Sequence, residues 1–209
     1  MPTYAFYELF HTYLDGQTYP GTRTLEDASN LVLPPYVSSY CYRNMFNGQF
    51  NLKKAPKLPA TKMSSYCYSS MFNGCTSLIE APELPATTTS SYCYESMFNN
   101  CTSLTKAPSK IQAATMSMYC SRNMFYGCTS LTKAPELQAT KLNYGCYRSM
   151  FNGCTSLNEI KVSFTTWTSS TTNSWMTNVS PTGTFHCNPG LAPKRGVNYI
   201  PEGWTIMND

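Results

Sequence analysis

Met71-Phe72-Asn73-Gly74-Cys75-Thr76-Ser77-Leu78 comes back again and again along the chain, and its recurrence decides the fold. Met-Phe stands at Met45, Met71, Met97, Met124 and Met150, in steps of 26, 26, 27 and 26 residues. A fixed period of this size marks a stacked-repeat architecture, in which each coil buries its apolar side against its neighbours. Nine of the ten cysteines keep the same period. Cys41, Cys67, Cys93, Cys120 and Cys146 form one column; Cys75, Cys101, Cys128 and Cys154 form a second, with Gln49 at that position in the first coil. Small apolar thiols at a repeated core position read as buried free cysteines more readily than as disulfides. The C-x7-C spacing, with no histidine nearby, argues against a metal site.

Upstream of the block, each coil offers what looks like a short helix. Ser38, Ser64, Ser90, Ser117 and Asn143 precede the first cysteine column by three residues and suit helix N-caps. Gly48, Gly74, Asn100, Gly127 and Gly153 suit the left-handed residue that ends a helix. A helical wheel gathers Cys67, Tyr68, Met71 and Phe72 on a buried arc and turns Tyr66, Ser69 and Ser70 outward. Tyr40, Tyr66, Tyr92 and Tyr119 then form an outward tyrosine column, beside Arg43, Glu95, Arg122 and Arg148 at the positions equivalent to Ser69.

Downstream, Leu78 returns to the core and Ala81-Pro82-Glu83-Leu84-Pro85 forms an extended side. Proline has no N–H for a ladder, so very short parallel strands or isolated bridges are expected there. The extra residue of the 27-residue step is placed in Pro108-Ser109-Lys110-Ile111 as a surface bulge. Charge columns run through Lys54, Glu80, Lys106, Lys133 and Glu159, and through Lys57, Glu83, Ser109 or Lys110, and Glu136. Coils about 5 Å apart would bring opposite charges together.

The expected architecture is an α/β solenoid of five stacked, ~26-residue leucine-rich-repeat-like coils, each a short helix plus a very short parallel strand. Residues 31–162 form the solenoid, residues 1–30 an N-terminal cap or docking arm, and residues 163–209 a C-terminal capping module. The first segment is rich in aromatics, among them Tyr4, Phe6, Tyr7 and Phe10, and contains His11. As a cap it would cover the first coil; as an arm it would dock on another subunit. In the last segment, Glu159–Phe164, Thr182–Cys187 and Ile200–Ile206 read as short strands and Asn173–Val179 as a replacement helix. Trp167, Trp175 and Trp204 suit closure of the core, with sugar binding as the sharper alternative.

Composition narrows the function classes. The chain is 42% apolar and only 12% charged, with net charge +4 and scattered basic residues, which gives no nucleic-acid footprint. It has no apolar run long enough to insert in a membrane, and its first residues lack the pattern of a signal peptide. Two histidines in opposite end segments, few acids and no phosphate-cradling glycine motif point away from an enzyme. No catalytic residue, metal or cofactor is expected.

Cys75-Thr76-Ser77-Leu78 with Ala81-Pro82-Glu83-Leu84-Pro85 and Met97-Phe98 resembles the BspA-like leucine-rich repeats of gut bacterial surface proteins and their phages. The resemblance spans residues 31–162; Val179–Phe185 with Ile200–Trp204 is similar to the module that often follows such repeats. It implies adhesion or recognition at a surface and carries over no binding residues. Tyr-Cys-Tyr and the strand prolines depart from the family pattern. Two functions follow as expectations. One is a virion-associated structural protein (a phage decoration, fibre or tail component), with the aromatic segment as docking arm. The other is a bacterial cell-surface adhesin that binds a protein partner or surface glycan through Tyr40, Tyr66, Tyr92, Tyr119, Arg43, Arg122 and Arg148. Homo-oligomerisation or assembly on a larger particle fits the first, and both place the chain facing the extracellular side.

Overall fold

Between Ser64 and Cys75, alternate backbone N–H groups have different destinations. Those of Cys67, Ser69, Met71, Asn73 and Cys75 close turns onto carbonyls three residues back, at 3.1–3.3 Å. Those of Tyr66, Tyr68, Ser70, Phe72 and Gly74 donate at 2.8–3.2 Å to Ser91, Cys93, Glu95, Met97 and Asn99 of the next coil. The same alternation recurs in each copy, so the computed structural model is a parallel β-solenoid of about four turns. It describes residues 2–10, 25–168 and 170–209. Among these residues there is no helix, which corrects the α/β assignment.

The correction has a simple origin. In the run of turns every fourth residue takes positive φ, as at Tyr66 (56°), Ser70 (54°) and Gly74 (72°). A turn with positive φ at its third residue alternates with one without, the signature of overlapping type II and type I turns. The resulting period of four puts two side chains in and two out, and over nine residues this is indistinguishable from the helical period of about 3.6. Cys67, Tyr68, Met71 and Phe72 are buried, as on the wheel. Ser69, which the wheel exposes, is buried as well. The cap serines also act differently: Ser64 Oγ donates to the Val37 carbonyl at 2.9 Å and Ser117 Oγ to Thr89 at 3.0 Å, stapling each run to the preceding coil. An isolated helix this short is marginal in water. The turn run gives up intra-coil bonds and gains inter-coil ones, which leaves the buried backbone paired.

Side chains stack in register through the core. Phe46, Phe72, Phe98, Phe125 and Phe151 lie with successive ring centroids 5.4–5.6 Å apart. Tyr42, Tyr68, Tyr94 and Tyr147 share another buried column, in which Ser121 takes one place. All ten cysteines are free and buried.

The extended side is nearly bare of sheet, for the reason proline supplies. Strand β1 (Lys110–Ile111) pairs with β3 (Glu136–Leu137), and β2 (Thr115–Met116) with β4 (Lys141–Leu142), all parallel. Earlier coils have only isolated bridges, such as Lys54↔Glu80 and Lys62↔Thr88. Gln138 donates its N–H to the Ile111 carbonyl at 3.1 Å. Pro85 holds the equivalent place two coils earlier and has no N–H for Leu58. The charge columns pair across coils: Lys54 with Asp27 at 3.1 Å and Lys133 with Glu159 at 2.6 Å. Glu83 instead accepts from the Ser109 N–H and hydroxyl, beside the extra residue.

Both ends reuse the turn run. Tyr4 and Glu8 have positive φ, and Phe6 and Phe10 stack on Tyr42 and Phe46, each 5.3 Å between centroids. At the other end Ser174 and Asn178 have positive φ where a replacement helix is expected from the sequence, and Trp175–Met176 inverts Met-Phe. A parallel sheet of β5 (Glu159–Lys161), β6 (Gly183–Cys187) and β7 (Trp204–Asn208), in that order, follows. Trp175 and Trp204 are buried and donate their indole N–H to the Tyr199 and Ser180 carbonyls, both at 2.8 Å, which fits core closure and leaves neither ring face open to a sugar. His11 lies outside the described residues.

Candidate binding face

The outward tyrosines occupy the first positive-φ position of each turn run. That conformation aims each ring along the outside of the stack, and the coil pitch sets their spacing. Tyr40–Tyr66, Tyr66–Tyr92 and Tyr92–Tyr119 centroids are 4.7, 4.6 and 5.1 Å apart, with planes within 24° of parallel. Tyr4 extends the ladder, 5.0 Å from Tyr40. Beyond Tyr119 the column stops at Gly145, where a Cβ would lie 2.3 Å from the Tyr119 ring. Tyr144 closes the row edge-on, its centroid 5.3 Å away.

Each ring thus spends its faces on its neighbours. What remains for a partner is a ribbon of ring edges and phenolic hydroxyls, one per coil. Arg43 lies over Tyr40 and Tyr66, 5.7 and 5.6 Å from their centroids, and Arg122 lies 5.5 Å from that of Tyr119. Such contacts hold the guanidinium planes against the ladder. Arg43, Ser69, Glu95, Arg122 and Arg148 make one column, in which Arg122 Nε meets Glu95 Oε1 at 3.3 Å. Burial pushes the Glu95 carboxyl up, against the pull of Arg122 and Arg43. Burial also raises the Tyr66 phenol, as do Tyr92 and Tyr40 beside it. The column carries three cations and one carboxylate, so the tyrosine edges are flanked by net positive charge. The structure brings together all seven residues of the proposed binding set.

The four residues of the docking-arm reading have a different setting. Tyr4 stacks on Tyr40, Phe6 on Tyr42 and Phe10 on Phe46, so these three lie against the chain's own first coil. Tyr7 is exposed and meets Tyr4 edge-on at 5.5 Å.

Two further features escape a reading of the sequence. A trough of about 510 Å³ lies between Ala55–Pro59 and Ala81–Pro85, where the prolines leave coils unpaired. At the far end, Asp209 Oδ2 pairs with Lys161 Nζ at 2.9 Å and Oδ1 meets His186 Nδ1 at 3.2 Å. Lys161, then His186, hold the Asp209 carboxyl below the usual range. The Ser109 hydroxyl on the same surface is committed to Glu83. Sequence proximity gives no hint of this cluster, since parallel register alone assembles it. Among the described residues no three or more metal-ligating side chains converge, and no helix is long and apolar enough to cross a membrane. The chain matches no family model, no curated protein and no solved structure.

Proposed function

We propose that this chain is a non-catalytic scaffold of five stacked BspA-like coils that presents its tyrosine–arginine ribbon for binding or assembly, in a virion-associated structural role. The observation that supports this reading is the ladder of Tyr40, Tyr66, Tyr92 and Tyr119, stacked at the coil pitch with arginines beside it. Tyrosine and arginine are enriched where partners bind tightly, and pre-stacked rings lose little conformational freedom on binding. The flanking cations suit an acidic protein surface or a glycan bearing carboxylates.

The stacking dictates the variants that test it. Tyr→Ser would remove ring contacts worth ~0.5–1.5 kcal/mol per pair, so loss of binding and loss of stability would be confounded. Tyr66→Phe with Tyr92→Phe keeps the ladder and removes only two hydroxyls. Immunogold labelling with an antibody to the chain, on purified particles and on cells of the source culture, is expected to mark particles. Recombinant double variant should attach to particles stripped of the protein at least about tenfold more weakly than wild type, with an unchanged thermal midpoint. Label confined to the envelope of uninfected cells would overturn the virion role in favour of an adhesin. Unimpaired attachment of the double variant would remove the tyrosine ribbon from the reading.

A further inference from the structure

Within the turn runs, from the first positive-φ residue of each coil to the last, every inter-coil backbone hydrogen bond points the same way. Tyr4, Phe6, Glu8 and Phe10 donate their N–H groups to the carbonyls of Ser39, Cys41, Arg43 and Met45. Tyr40, Tyr42, Asn44 and Phe46 donate to Ser65, Cys67, Ser69 and Met71, and the direction persists to Phe151 and Trp175. Strand dipoles in an ordinary sheet largely cancel. Here donors look toward the C-terminal end and acceptors toward the N-terminal end. The two ends of the stack are therefore chemically unlike.

The C-terminal end is closed. Ser174 N–H bonds to Asn198 Oδ1 at 2.7 Å and Met176 N–H approaches the Val197 carbonyl at 3.4 Å. At the N-terminal end the acceptor positions belong to Thr3, Ala5, Tyr7 and Leu9, whose carbonyls have no partner among the described residues. The core layer is open there too. Leu9 takes the place that buried Met45 has in the next coil, yet is 54% exposed, and Phe6 and Phe10 are only half-buried.

We infer that this end accepts one more coil from another chain. The occupant is an aromatic peptide segment that donates alternate N–H groups to Thr3, Ala5, Tyr7 and Leu9 and lays its apolar side chains on Phe6, Leu9 and Phe10. Backbone donors supply affinity in such strand additions, and the alternate side chains supply specificity. A second copy of this chain is a poor match. Its own N-terminal end presents the same acceptors, and at its C-terminal end the Ser174 and Met176 donors are already directed at Asn198 and Val197.

The test uses the intact chain and a fluorescein-labelled peptide with the sequence of residues 39–49, carrying Cys41→Ser. Fluorescence anisotropy should show saturable one-to-one binding. Replacing the amides of Tyr42 and Phe46 in the peptide by esters, which deletes two donors to the edge, should weaken binding about tenfold. Esters at Arg43 and Asn47, whose N–H groups close the peptide's own turns, should cost less. Leu9→Glu in the protein, which places a carboxylate on the open core layer, should abolish binding with the thermal midpoint retained. The ester comparison needs only the wild-type chain, so it decides the matter even where Leu9→Glu disturbs folding. Absence of saturable binding, equal loss from both ester peptides, or undiminished binding to a folded Leu9→Glu variant would overturn the inference. So would light scattering that shows the chain pairing with itself through this end, dissociated by Leu9→Glu.

Discussion

The second cysteine column shows how closely a single side chain is fitted to this backbone. Cys75, Cys101, Cys128 and Cys154 donate S–H to the carbonyls of Phe46, Phe72, Phe98 and Phe125 in the preceding coil, at 2.9–3.2 Å. Each such carbonyl already accepts the N–H that closes its own turn, so the thiol fills a second lone pair. Gln49 replaces cysteine in the first coil, and its amide donates to the Phe10 carbonyl. That exception was visible in the sequence, but its meaning required knowing that residues 2–10 sit where a preceding coil would. Burial pushes these thiols up, Cys154 to about 12, which leaves almost no thiolate at neutral pH. The folded chain is therefore expected to be nearly inert to Ellman's reagent at pH 8 over an hour, with all ten thiols reacting in 6 M guanidinium, as denaturant exposes them. Rapid native reaction of more than one thiol would contradict the packing.

Among the elements, the nine-residue run upstream of each glycine was the hardest to read. Its buried positions were legible, because both a helix and a chain of turns put Cys67, Tyr68, Met71 and Phe72 on one side. Its backbone was not, because nothing about Tyr66 or Ser70 announces positive φ, whereas Gly74 does. The extended side was legible from its prolines, and the structure refines the rule: β1 and β3 pair where both adjoining coils, at Gln112 and Gln138, have glutamine in place of the second proline. Pro85→Gln should supply the N–H that Leu58 lacks and join two coils as Gln138 joins β3 to β1. One added hydrogen bond contributes ~0.5–1.5 kcal/mol, and loss of the proline constraint costs ~0.4–1 kcal/mol. The thermal midpoint should therefore move little, while amide exchange at residue 85 shows strong protection. A freely exchanging amide there would count against the explanation.

For the molecule as a whole, stability at low pH should fail first at the two ends. Hydrogen bonds from Ser29, with Lys54 beside it, hold the Asp27 carboxyl down at about 2, and Asp209 is lowered by Lys161 and His186. A carboxyl whose folded pKa is depressed stabilises fully above its unfolded value of about 3.9 and loses that contribution as pH falls through the folded value. The thermal midpoint should thus drop between about pH 4 and pH 2, and less steeply in the Asp27→Asn, Asp209→Asn double variant. Both groups are exposed, so added salt should shrink the difference. A double variant with the wild-type pH profile would show that other carboxylates govern acid unfolding.

The sequence by itself determined the period, the stacking, the buried cysteines, the short parallel strands and the tyrosine column, because each is a property of one coil repeated. The direction of the backbone N–H groups belongs to no single coil. Only the tertiary structure decided it, since a run that packs two in and two out is satisfied equally by a helix and by turns until a neighbouring coil offers its carbonyls. Stacking then selected the turns, closed the tyrosine faces on one another, drew Lys161, His186 and Asp209 together, and left the two ends of the solenoid with opposite hydrogen-bonding character.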